Sequence, residues 1–264
     1  MTLLSIAIIV SLLITIGLPI GAGVWLNKKL GLTMRMITYG VLGYLIVQIL
    51  ITLSLSGMTS LAEDGTLLLT EDGFTALQVW FSIGMGAILG VLIRWAGMKF
   101  IREDLINPVA AYGIGIGYGG IESILLVGLP LLTTFITMLS NRQIDPQTTT
   151  LDPVVIEQLE ALWQVPIYVP LVGSLERVAA FVMHLAVTML ILRVFTRNQG
   201  LFLAAAMGLE FLVNGLVVGL TSVGLQYGWV VPISLGLIAL NGYLLYRLGA
   251  FGFIYRGSGT PTPK

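Results

Sequence analysis

AYGIGIGYGGIESILL, residues 111–126, is the stretch whose reading decides the fold. It is apolar and crowded with glycine. It carries one carboxylate, Glu122, and no basic neighbour in sequence. With its flanks it is long enough to cross a bilayer as a helix. An ionisable group on such a helix is expensive, so it marks a functional site by default.

The rest of the chain agrees with that setting. Its 264 residues are 56% hydrophobic and only 10% charged, against about 25% charged in soluble domains. A span needs about 20 mostly apolar residues, and seven segments qualify: roughly 3–24, 36–56, 76–97, 107–131, 166–192, 200–221 and 229–248. The expected fold is all-α, a polytopic transmembrane bundle of about seven helices. Residues 1–256 form one integral membrane domain and 257–264 a flexible polar tail. The first segment reads as a retained span rather than a cleaved signal peptide, because no basic region precedes it. Thirteen basic and thirteen acidic residues leave no net charge, so no nucleic-acid footprint is present. The chain has no cysteine, which excludes disulfides and thiolate metal sites.

Charge orients the spans. Lys28, Lys29 and Arg35 follow the first segment. Arg94, Lys99 and Arg102 lie at or after the end of the third, Arg193 and Arg197 after the fifth, and Arg247, Arg256 and Lys264 at or after the end of the seventh. The alternate loops carry Glu63, Asp64, Glu71, Asp72, Asp145, Asp152, Glu157 and Glu160, with Arg142 their one basic residue. By the positive-inside rule the N-terminus lies outside and the C-terminus in the cytoplasm. In DPVVIEQLEALW, Asp152 suits an N-cap and Pro153 a first helical position. This predicts a short helix, lying on the membrane surface or packed over the bundle mouth.

Glu122, Glu176, Arg177, His184 and Glu210 remain at membrane depth, with Asn214 as a polar partner. His184 is the one histidine of the chain. Lipid exposure would be costly for each, so they are expected to converge inside the bundle. Gly115, Gly119 and Glu122 share one helix face, as do Arg177 and His184, and Glu210 and Asn214. The pairs Gly113/Gly117 and Gly115/Gly119 let neighbouring backbones approach closely. Glu176–Arg177 reads as a self-neutralising structural pair or as part of a site.

GIGYGGIESILL followed by ERVAAFVMHLAVTMLIL resembles the two central motifs of the YhfC family of intramembrane peptidases. That family is similar to the CAAX prenyl-endopeptidases and bacteriocin-processing membrane proteases. The resemblance implies an all-helical bundle and hydrolysis of a membrane-associated peptide or protein substrate within the bilayer. It implies Glu122 as the water-activating residue, Glu176, Arg177 and His184 as an ER…H motif, and Glu210 and Asn214 as the sixth-helix pair. Tyr118, beside Gly119, and Glu210 stand where the family pattern has histidine. Catalytic zinc usually takes three protein ligands, and His184, Glu122 and Glu210 are the set on offer. Chemistry without a cofactor is expected, with a divalent metal such as zinc as the alternative. A proton-coupled transporter and a non-catalytic membrane partner protein are the competing functions.

Overall fold

The computed structural model describes residues 2–63, 70–100, 106–141, 153–222 and 227–250. Among these, seven helices are long and apolar enough to cross a membrane, as expected, and there is no strand. They are α1 (Leu3–Leu30), α2 (Met34–Glu63), α3 (Glu71–Lys99), α4 (Pro108–Ser140), α6 (Tyr168–Arg197), α7 (Leu201–Ser222) and α8 (Tyr227–Arg247). A shorter helix, α5 (Pro153–Gln164), lies between α4 and α6. The chain is a multi-pass membrane protein. Asp152 and the 257–264 tail lie outside the described residues.

Local chemistry sets several ends. Thr70 caps α3 by accepting from the Gly73 amide at 3.2 Å, and Asn107 caps α4 by accepting from Ala110 at 3.0 Å. Pro108 follows Asn107 at the first position, where its missing N–H costs nothing. Gly31 ends α1 at φ 68°, a left-handed conformation that glycine adopts without strain.

Five spans close a ring, α2–α3–α7–α6–α4 and back to α2. Helix α1 packs against α4 and α6, and α8 against α6. Helix α6 is the hub: 61% of its central window is buried, against 33% or less in every other span. On α4, every residue from Ala110 to Gly120 is buried. Its glycines explain how. A methyl at Gly117 would collide with the Ile37 carbonyl of α2, and Gly40 of α2 meets the α4 backbone in the same way. The opposite face, Gly115 and Gly119, lies against α6. Both small-residue pairs therefore serve close helix approach.

Two π turns, Leu13–Gly17 in α1 and Ile124–Gly128 in α4, precede Pro19 and Pro130. Proline lacks an N–H and crowds the carbonyl four residues back, which widens the preceding turn. For Pro19 that carbonyl is Thr15, and Ser123 Oγ donates to it at 2.9 Å. In helix α5, Leu162 and Trp163 sit against Leu4, Ile8 and Met138 of α1 and α4, while Val154 and Val155 stay exposed.

Gly117→Ala is expected to cost about 1–3 kcal/mol through overpacking. It should lower the melting temperature of the detergent-solubilised protein. Gly208→Ala, where an added methyl meets nothing within 4 Å, should be neutral or stabilising. Equal behaviour of the two would show that helix approach is not what Gly117 provides.

Candidate functional site

The site begins where α4 meets α6. A methyl at Gly119 would lie 3.0 Å from Cδ2 of His184, so the imidazole rests on bare backbone. That seat, one turn before Glu122, brings His184 Nε2 to 2.7 Å from Glu122 Oε2. Arg177 stands seven residues, two turns, before His184. Its Nη1 donates to the other oxygen, Glu122 Oε1, at 3.1 Å. Glu122 is thus bracketed by two donors from one face of α6.

Behind the imidazole lies a buried guanidinium. Arg94 of α3 donates from Nε to the Gly90 carbonyl at 2.8 Å and from Nη2 to Glu210 of α7. Its Nη1 is 3.3 Å from His184 Nδ1. Glu210 Oε1 lies 3.7 Å from the same nitrogen, beyond a hydrogen bond. Arginine has no acceptor, so Nδ1 accepts and the ring proton sits on Nε2, donated to Glu122. His184 thus stands between a guanidinium and a carboxylate. Tyr118 lies in front, its ring 4.2 Å from the Arg94 guanidinium carbon and 5.0 Å from the His184 ring. Tyr44 meets Tyr118 edge-on at 5.3 Å. Gly90 leaves room for the phenol: a methyl there would lie 2.7 Å from the Tyr118 oxygen.

The ring of five spans encloses a cavity of about 380 Å³ beside this network. Tyr118, Glu122, Glu176, Arg177, Glu210 and Asn214 line it together with apolar residues of α2, α3 and α7. The side chains of Glu122 and Arg177 are 14% and 15% exposed, whereas His184 and Arg94 are sealed behind them. The lining residues occupy the middle of the spans and the half nearer Glu63, Glu71, Tyr168 and Ser222. In the other half Met98, Ile114, Val187 and Ile191 are fully packed.

Glu122, His184 and Glu210, and with them Arg177, Tyr118 and Gly119, come together as one cluster. Asn214 lines the same cavity and has no hydrogen bond among the described residues. Two readings need correction. Arg177 forms its salt bridge with Glu122 and acts on Glu176 only through its charge, because adjacent helical residues point about 100° apart. Glu176 is half-buried on the cavity wall with no ion pair among the described residues. Arg94, counted above with the basic helix ends, is instead buried at the centre of the site. Its signal was Gly90 four residues earlier on the same face, which leaves space for large side chains inside the bundle.

These features define a multi-pass helical membrane protein with a buried charged cluster at the floor of an intramembrane cavity. The chain belongs to the YhfC family: a family model described as "YhfC intramembrane metalloprotease" matches residues 13–236. It is 24% identical over 217 residues to the "Uncharacterized membrane protein YhfC" of Bacillus subtilis (strain 168), covering 75% of this chain and 77% of that one. No solved structure matches.

The family description raises a metal. Among the described residues, no three His, Asp or Glu side chains gather as a ligand set. The geometry gives the reason. Glu122 faces Nε2 of His184 and Glu210 faces Nδ1, so the two carboxylates lie on opposite sides of the ring. One ion cannot take the imidazole and both carboxylates. Each carboxylate also already holds a guanidinium. This donor set does not fit a metal.

Arg94→Met strands Glu210 in the interior and should cost about 3–5 kcal/mol. Adding Glu210→Leu removes the stranded charge and should restore much of that loss. Unfolding of the two variants measures both, and a double variant no more stable than Arg94→Met would contradict the pairing.

Proposed function

We propose that this protein is an intramembrane peptidase that hydrolyses a peptide bond of a membrane-associated substrate with water activated by Glu122. The observation that carries the reading is the 2.7 Å Glu122–His184 pair at the wall of the cavity between the five spans. A general base must sit within hydrogen-bond reach of the proton it takes, and Glu122 reaches into the cavity where water and a peptide can meet. His184 and Arg177 leave each Glu122 oxygen a further lone pair for that water.

Glu122 takes a proton from water as the oxygen attacks the peptide carbonyl. The carbonyl electrons move to its oxygen, and the amide of Asn214, which lines the same cavity, donates to that oxyanion. On collapse the C–N bond breaks and the amine nitrogen takes the proton back from Glu122, leaving a carboxylic acid and an amine. His184 Nε2–H holds Glu122 in place throughout, itself held by Arg94. No step uses a metal, since the donor set does not fit one. A relation to the CAAX prenyl-endopeptidases is part of this proposal.

Two observations support this reading over a proton-coupled transporter. A transporter needs a polar path to both faces, and the cavity stops at Tyr118 and Glu210 above a packed half-bundle. The π turn in α4 does break a helix at the site, as in transporters, but no internal repeat accompanies it. The orientation, N-terminus outside, is likewise a proposal. It is supported by exposed Lys28, Lys29, Arg35, Lys99, Arg197 and Arg247 at one face and Glu63, Glu71, Asp72, Glu157 and Glu160 at the other.

Comparison of membrane-peptide pools from cells carrying wild type or Glu122→Gln tests the function. At least one uncut substrate should accumulate in the mutant, with cleavage reduced on the order of 10²–10⁴-fold. Identical pools would favour the transporter or the non-catalytic partner. Gly119→Val, which drives a branched side chain into the His184 seat, should lower cleavage of the same substrate without touching Glu122 itself. Full activity in Gly119→Val would separate the His184 contact from the reaction.

A further inference from the structure

The charged groups around the cavity are not all paired in salt bridges among the described residues. Glu122, Glu176 and Glu210 bring three carboxylates, and Arg94 and Arg177 bring two guanidinium groups. Glu210 is matched by Arg94 and Glu122 by Arg177, so the unmatched carboxylate is Glu176. It is half-buried, lines the cavity, and has no hydrogen bond or ion pair among the described residues. The charge of neighbouring Arg177 acts on it, but that guanidinium is bonded to Glu122, and a carboxylate so weakly matched inside a membrane bundle is costly unless a partner arrives. Polar Gln48, Ser82 and Asn214 line the same space and can solvate a polar group beside it.

The surroundings point to the same sign. The cavity lies toward the bundle end at which Glu63, Glu71, Asp72, Glu157 and Glu160 are exposed, and no described basic side chain is exposed at that end. Acidic rims raise the local concentration of cations and speed their entry. We propose that the cavity binds a cationic group, the ammonium of a lysine side chain or of a peptide amine. Glu176 is its counter-charge, and the group enters from the acidic end of the bundle. The word substrate for this ligand rests on the peptidase reading; the binding itself needs no hydrolysis.

The probes are a capped apolar pentapeptide with one central lysine and its twin with norleucine, which keeps the side-chain length and removes the charge. Binding to the full chain in lipid nanodiscs is measured at low salt. The lysine peptide should bind on the order of tenfold more tightly. Glu176→Gln, nearly the same shape, should make the two peptides equal, and Glu157→Gln on the surface should keep the preference. On the wild type, n-butylammonium chloride should compete with the lysine peptide where n-butanol at equal concentration does not. That arm needs no variant to fold. Equal affinities in the wild type, no binding of the lysine peptide, equal competition by the two small probes, or a preference that survives Glu176→Gln would each overturn the inference. None of these outcomes touches the Glu122→Gln comparison, so the two readings fail separately. Cleavage without a lysine preference would sink only this one.

Discussion

A charge inside a membrane bundle needs an opposite charge within reach, and the centre of this protein is arranged to satisfy that condition. Arg177, Glu122, His184, Arg94 and Glu210 form a continuous row in which donors and acceptors alternate. The row crosses four helices, α6, α4, α3 and α7. It therefore fixes their rotation about their own axes more tightly than apolar packing alone, since a lipid-like interior accepts many rotations and an ion pair accepts few. The burial of α6 follows. It supplies both donors to Glu122, so the helices bearing the partners must surround it.

Backbone approach makes the row possible. Helix α4 lies between α2 and α6 with bare glycine on both faces, and the Gly119 seat sets the imidazole against the turn that ends in Glu122. The π turn that follows has a second support. Pro19 leaves the Thr15 carbonyl without its helical partner, and Ser123, next to Glu122, donates to it. A proline in the first span thus holds the segment that carries the carboxylate. A buried carbonyl must find a donor somewhere, and here the donor lies one residue from the site.

Hydropathy made the seven spans legible, because length and apolarity are properties of a segment alone. Glu122, His184 and the two glycine faces were legible for a similar reason, since helical spacing assigns residues to faces. Which face meets which neighbour was not. Arg177 therefore read as the partner of Glu176, its neighbour in sequence, although α4 presents Glu122 to it instead. Arg94 was missed because a basic residue near a span end ordinarily reaches water. Helix α3 continues to Lys99, which places Arg94 more than a turn inside. The π turns were also illegible in detail: prolines announce a disturbance, but its form depends on what the neighbouring helix donates.

The buried row is hard to explain as a stability device. Replacing a buried ion pair by well-packed apolar residues is often neutral or stabilising, and a tightly packed bundle gains more than one with an internal space of about 380 Å³. Here both costs fall at one place. The charges sit at the floor of the cavity, and Glu122 and Arg177 are the two of the row least sealed by their neighbours. Arg94 is sealed completely and acts on the cavity through the two residues it holds, His184 and Glu210. A division into sealed groups that orient and open groups that touch the space is what a preorganised site requires. It leaves Glu176 as a charged wall residue with no hydrogen bond or salt bridge among the described residues.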